Sequence, residues 1–341
     1  MAGVIDADTH VIESEATWQF FPEALEGRRP ALVAFPDPIS RTPVNRWIID
    51  GKVVPKPSGK GGAFLHTPPL TEEEAVRDDW ACRSLADPAA RIAHADAMGV
   101  ATQVIYPTLF IAYLTDDPTL EAALCHSYNC FLADVWARGE GRLRWVAPLP
   151  LRSIDASIEE MNFVKGRGAA GVLFRGIEGD RSLAEPYFYP IYEEASRLGL
   201  PVCIHIGGGS GTLNDMCDTR YMFNFASQRI LPVVAFHDLL SNRIPERFPD
   251  LRVGFIEAAA SWVPFALHFL KRRTSRTSMG AVGKDRLGPS LLRDSRFFIA
   301  CEADEDIPYL LEQIGPLRRA IMREGVLPRA AQPRLMRGEA L

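Results

Sequence analysis

The run Ala170-Gly171-Val172-Leu173-Phe174-Arg175-Gly176, the segment from Tyr187 to Leu198, and the run Pro201-Val202-Cys203-Ile204-His205 together decide the fold. Both short runs are apolar at successive positions, so as strands they have no polar face, and the segment between them has the length of a helix. Strands buried on both faces and separated by helices build a parallel sheet, because each crossover helix must cover a face.

The same alternation extends in both directions. Upstream, Asp87-Pro88 opens a helix that runs to Gly99, with an N-cap acid and a proline in the first turn. Ala101 to Pro107 follows as a strand. Leu120, Leu124, Tyr128, Phe131 and Val135 step at helical spacing, and Leu143 to Pro148 is a strand, followed by a helix from Ser153 to Gly166. Downstream come a helix over 224–241, a strand over Leu251–Ile256, a helix over 261–273 and a strand over Phe297–Cys301. With an opening strand through Val4-Ile5-Asp6-Ala7-Asp8-Thr9-His10, seven strands are accounted for. The fold class is therefore α/β, a (β/α)8 TIM barrel whose eighth strand is in question. Residues 1–341 read as one domain.

Residues 13–85 break this rhythm. Prolines recur from Pro22 to Pro69 around Gly59-Lys60-Gly61-Gly62, so no long helix can pass through. A hairpin is expected over Arg46–Val54, turning at Asp50-Gly51. The segment reads as an insertion over one end of the barrel, either a lid shaping substrate access or a surface excursion and oligomer contact.

Composition fits an ordinary enzyme-like protein: 341 residues, 47% hydrophobic, 24% charged and a formal charge of -5. No basic stripe recurs that would suit a nucleic acid, and no apolar run is long enough to cross a membrane. With no basic region before Asp6, the expected address is cytoplasmic. Cys82, Cys125, Cys130, Cys203, Cys217 and Cys301 form no C-x-x-C pair and read as buried reduced thiols.

In such barrels the chemistry sits at the carboxyl ends of the strands. Asp8 and His10 alternate on the first strand and converge on one point, with Asp6 on the same face one layer deeper. His205 ends a later strand just before Gly207-Gly208-Gly209. Two imidazoles and a carboxylate at one mouth suit a divalent ion such as zinc or manganese; otherwise they are turn, cap and rim residues. Arg175 at the rim either holds a substrate carboxylate or pairs with Glu178. Glu257, followed by three alanines, either moves protons as a general base or holds a histidine in its metal-binding tautomer. Glu302 is a further rim acid, while His94, His126, His237 and His268 fall on helices, in surface or packing roles.

With Asp6-Ala7-Asp8-Thr9-His10, the Gly171–Gly176 strand, Leu200–His205 and Arg247-Phe248-Pro249-Asp250-Leu251-Arg252-Val253 in hand, the chain resembles the amidohydrolase-related branch of the amidohydrolase superfamily, over about residues 3–315. The resemblance implies a metal-dependent (β/α)8 enzyme with Asp8, His10 and His205 as ligands, acting on a small carboxylate-bearing molecule. The implied reaction is nonoxidative decarboxylation, as in the aminocarboxymuconate semialdehyde and γ-resorcylate decarboxylases, or hydrolysis of an ester, lactone or amide. Two departures stand out. Many decarboxylases of the branch carry a histidine after the sixth strand, where this chain has Ile256-Glu257-Ala258-Ala259. The branch also closes its barrel with a strand carrying a motif like S-D-Y-P-H, whereas the tail over 316–341 has six arginines and no aspartate or histidine. An unpaired barrel edge is compatible with a homodimer. The alternative function is a catalytically impaired barrel that keeps only metal or ligand binding.

Overall fold

The computed structural model describes residues 4–37, 41–216, 225–274, 290–302 and 304–314. Among these residues ten strands run in chain order: β1 (Val4–Val11), β2 (Ala31–Pro36), β3 (Pro43–Ile49), β4 (Lys52–Val54), β5 (Val100–Pro107), β6 (Leu143–Pro148), β7 (Ala169–Arg175), β8 (Val202–His205), β9 (Val253–Ile256) and β10 (Phe297–Ile299). Seven of them form one sheet in the order β1-β5-β6-β7-β8-β9-β10, and every pairing in it is parallel. Helices Pro88–Ala97, Pro118–Arg138, Ile154–Lys165, Tyr189–Leu198, Leu231–Ser241 and Val263–Thr274 alternate with these strands.

The sheet curls. β1 and β8 are four places apart, which in a flat sheet would separate them by roughly 19 Å. Instead the rings of His10 and His205 lie 5.1 Å apart. The architecture is thus an α/β barrel of seven parallel strands among the described residues. The expected eighth strand falls in 315–341, outside the described residues.

Two cores follow from the strand alternation. Val172, Phe174, Val202 and Ile204 pack outward with Phe188, Tyr192 and Phe236 from the helices. Leu173 and Cys203, one residue out of phase, belong to a second core with Val11 and Tyr106. Phe174 is fully buried and meets Phe188 at 5.7 Å; truncating such a ring to alanine costs about 3–5 kcal/mol.

Element boundaries match the sequence reading within a few residues. Asp87 caps its helix by accepting from the Ala89 amide at 2.9 Å, and Ser153 accepts from Ala156 at 3.3 Å. The expected helix over 224–241 begins differently, with a π-turn at Ala226–Ile230. In the insertion, β3 and β4 form the expected hairpin, with Asp50 and Gly51 at φ 51° and 70°; β2 adds a third strand that the sequence did not suggest. The insertion is packed onto the barrel: Trp47, Ile49 and Val54 share the core of Val11 and Tyr106, and Arg28 bridges Asp50 at 2.8 Å and Asp117 at 2.5 Å. Among the described residues no helix is long and apolar enough to cross a membrane.

The cysteines depart from expectation. Cys82, Cys125 and Cys203 are buried, but Cys130 and Cys301 are only half-buried; Cys217 lies outside the described residues.

Candidate metal centre

β1 is not a regular strand. Its register with β5 slips between Asp6 and Thr9, which inserts a bulge at Ala7-Asp8. A bulge re-aims the side chains beside it. Asp6 accordingly leaves the shared face that strict alternation assigns to it: its Oδ2 accepts from Gln103 Nε2 at 2.9 Å and its Oδ1 from the Asp8 amide at 3.3 Å. Asp8 and His10 are left facing the mouth.

The donor atoms of Asp8, His10 and His205 lie within 4.8 Å of one another. Asp8 Oδ1 is 3.9 Å from His10 Nε2 and 3.7 Å from His205 Nε2. Glu257 Oε2 closes the group, 3.6 Å from His10 Nε2 and 3.2 Å from His205 Nε2. Each imidazole is fixed from behind. His10 Nδ1 bonds the Pro107 carbonyl at 3.1 Å, and His205 Nδ1 the Ile206 carbonyl at 2.9 Å. A carbonyl can only accept, so both Nδ1 atoms carry a proton and each ring meets the centre through Nε2, whose lone pair is open to an ion that displaces any proton there. Backbone partners of this kind set the tautomer and ring orientation of metal-ligating histidines.

Asp8 Oδ1 and His205 Nε2 are buried with no hydrogen-bond partner. Orphaned polar atoms in a protein interior are costly unless something else satisfies them. Burial acts against a charge on His205, but Asp8 and Glu257 outweigh it and push its pKa up to about 9. Burial likewise opposes charge on Glu257, and His10 and His205 overcome it, holding this carboxyl well below the usual range. The point between the four side chains therefore favours a cation. Its donor set of imidazole nitrogen and carboxylate oxygen fits a divalent ion of the zinc or manganese kind.

Two backbone features shape the floor. Glu257 sits at φ 53°, in the left-handed region that a non-glycine residue rarely adopts. Its carbonyl accepts from Arg229 Nη1 at 3.2 Å, and Arg229 Nη2 bonds Glu302 at 3.1 Å, so the rim acid Glu302 supports this turn. After His205, a Cβ on Gly207 would lie 2.3 Å from the Ile111 carbonyl oxygen, and one on Gly209 would lie 1.6 Å from that of Ile177. Glycines here let the β8 loop pack directly against the loops after β5 and β7.

Arg175 is engaged inside that packing. Its Nε bonds both Glu178 oxygens at 3.1 Å, its Nη2 bonds Glu178 Oε2 at 2.5 Å, and its Nη1 donates to the Ala112 carbonyl at 2.7 Å. Beside the centre, the insertion, the β5 loop and the β8 loop enclose a cleft of about 780 Å³, lined by Lys52, Lys56, Phe64, Tyr113, Ile206 and Gly207 among others. Ile206 and Gly207, which line the cleft, directly follow His205 in the chain. The sequence reading gave no role to His66. It belongs to the insertion, lowered in pKa first by burial and then by Arg83. His94 and His268 are exposed, as a surface role requires.

The chain belongs to the amidohydrolase family: residues 5–319 match Amidohydro_2, described as Amidohydrolase. Within that class, it is 24% identical to the 2-amino-3-carboxymuconate-6-semialdehyde decarboxylase of Dictyostelium discoideum over 53% of this chain and 50% of that protein. The chain thus matches about half the length of that curated relative. An amidohydrolase of Mycobacterium avium subsp. paratuberculosis K-10 has a similar fold, with TM-score 0.67 and 20% identity over 92% of this chain and 87% of that one. So does a 5-carboxyvanillate decarboxylase of Novosphingobium aromaticivorans with bound manganese, at TM-score 0.58 and 16% identity over 92% and 84% of the two chains.

Proposed function

We propose that this chain is a metal-dependent enzyme that removes carbon dioxide, without oxidation, from a small carboxylate-bearing substrate. The observation that carries the reading is the convergence of two orphaned buried atoms, Asp8 Oδ1 and His205 Nε2, with His10 Nε2 at one point on the barrel mouth. Asp8, His10 and His205 would hold the ion, zinc or manganese. When bound, a divalent ion polarises a carboxylate or carbonyl oxygen. The decarboxylation choice draws on the curated relative, a decarboxylase by name.

The chain's own residues do the rest. Pro107 and Ile206 carbonyls keep both Nε2 atoms aimed inward. Glu257 handles the proton at the substrate side. Arg175 acts as a positioning residue: with Glu178 and the Ala112 carbonyl it ties the β5 and β7 loops together at the cleft. The cleft receives the substrate, and the insertion that roofs it selects among substrates.

A second reading is hydrolysis of an ester, lactone or amide. It is favoured by the place of Glu257, whose Oε2 lies 3.6 Å from His10 Nε2 and 3.2 Å from His205 Nε2; a carboxylate beside the centre is placed to take a proton from water. The deciding experiment loads the purified chain with zinc or manganese, measures metal per chain by inductively coupled plasma mass spectrometry, and screens aromatic and enol acids for carbon dioxide release beside a panel of lactones and esters. Metal with carbon dioxide release supports the first reading, and metal with lactone or ester cleavage supports the second. Bound metal without either leaves the impaired, binding-only barrel.

A further inference from the structure

A second chain of polar groups lies on the outer helices, away from the barrel mouth. His126 and Cys130 are four residues apart on the helix Pro118–Arg138, so they share a face. Cys130 Sγ lies 3.4 Å from His126 Nε2, and His126 Nδ1 lies 2.9 Å from Glu160 Oε2 on the neighbouring helix. Glu160 is anchored in turn, its Oε1 accepting from Asn129 Nδ2 at 2.9 Å. Asn129 also donates to the Pro148 carbonyl at 3.0 Å and accepts from Trp145 Nε1 at 3.2 Å. The result is carboxylate, imidazole and thiol in series, the order in which an oriented histidine activates a nucleophile.

From this geometry we propose that Cys130 is a nucleophilic thiol, activated by His126 and oriented through Glu160, that undergoes exchange with low-molecular-weight disulfides. Solvent reaches it: the His126 side chain is 45% exposed, and Cys130 is half-buried where Cys82, Cys125 and Cys203 are buried. The next acid along this face, Asp134, is already paired with Arg138 at 2.7 Å, which limits its repulsion of a thiolate. Bonding to Cys130 and then to Glu160 pushes the His126 pKa up to about 10, against burial, so the ring is an imidazolium at neutral pH and stabilises a thiolate at Cys130. Satisfying the buried Glu160 requires only Asn129 and His126; the thiol at the far end of the series adds nothing to that.

In the exchange, the Cys130 proton is lost to solvent, and the sulfur, held as a thiolate beside the His126 imidazolium, attacks one sulfur of the disulfide. A new S–S bond forms to Cys130, the original S–S bond breaks, and its electron pair leaves with the departing thiolate. The incoming disulfide is the oxidant, and nothing else is needed.

The test reacts the folded, full-length chain with 5,5′-dithiobis(2-nitrobenzoate) and, separately, with oxidised glutathione, assigning each modified cysteine by peptide mass mapping. Cys130 is expected to react at least about tenfold faster than Cys301, which is also half-buried, and Glu160→Gln and His126→Gln are expected to slow it by about tenfold or more without changing metal content. A Cys130 rate no greater than that of Cys301 overturns the proposal, as does a Cys130 rate that folded Glu160→Gln leaves unchanged. Should a variant fail to fold, the wild-type ratio of the two cysteines decides alone.

Discussion

The barrel mouth and the outer helices both carry histidine beside carboxylate, yet they differ in which atoms are left over. At the mouth each imidazole spends Nδ1 on a backbone carbonyl and points Nε2 at a spot where Asp8 Oδ1 is orphaned. On the helices His126 has both nitrogens engaged, by Glu160 and Cys130. The difference separates a site built to receive a cation from one that is complete without it. An orphaned atom is not sufficient on its own: Glu13 Oε1 is also buried and unpartnered, but among the described residues it does not join histidine, cysteine or acidic donors in a cluster that could hold an ion. Burial pushes Glu13 up to about 8, so it stays neutral where Glu257 stays charged.

The comparison can be broken most directly at His205. His205→Ala should lower metal affinity by more than about 100-fold, since even the partners of ligating histidines are worth about 10–100-fold; metal per chain before and after the change measures it, and an unaltered content removes His205 from the centre. His126→Ala should leave metal content as it was. Next in size, Glu257→Gln should reduce turnover by about 10² to 10⁴ while metal is retained, the range for losing a general acid or base. Loss of metal in that variant would instead make Glu257 a ligand.

Two smaller effects concern pH. Glu13 has a pKa raised from 4.5 to about 8, so its contribution to stability is intact below the lower value and is lost as pH rises through the upper. Glu13→Gln should flatten that decline, leaving the variant more stable than wild type at alkaline pH by on the order of a few kcal/mol. Urea unfolding on both sides of that window checks it, and parallel curves for the two proteins would contradict it. His126 has a pKa raised from 6.5 to about 10, so the stability it contributes is present below the lower value and fades through the upper. Because its side chain is nearly half exposed, His126→Gln should cost only about 1 kcal/mol or less after solvent screening, with the difference vanishing in strong alkali. A cost that grows with pH would mean the charged imidazole is not the stabilising form.

Much of the fold is legible in the order of residues. Val172–Phe174 and Val202–Ile204 have no polar face, Asp87 and Ser153 announce helix starts, and Asp50-Gly51 announces a turn; each is a local preference that the chain expresses wherever it sits. His10, His205 and Asp8 are legible for the same reason, as polar residues interrupting apolar strands near their ends. Tertiary structure alone decided what these residues do together. The curl of the sheet brings β1 to β8, the bulge at Ala7-Asp8 turns Asp6 away toward Gln103, and Glu178 with the Ala112 carbonyl claims the Arg175 guanidinium. Glu160 meets His126 only because two helices pack side by side. Local sequence sets which way a segment turns and which face it buries, but a site is a distance between atoms far apart in the chain, and only packing fixes that distance.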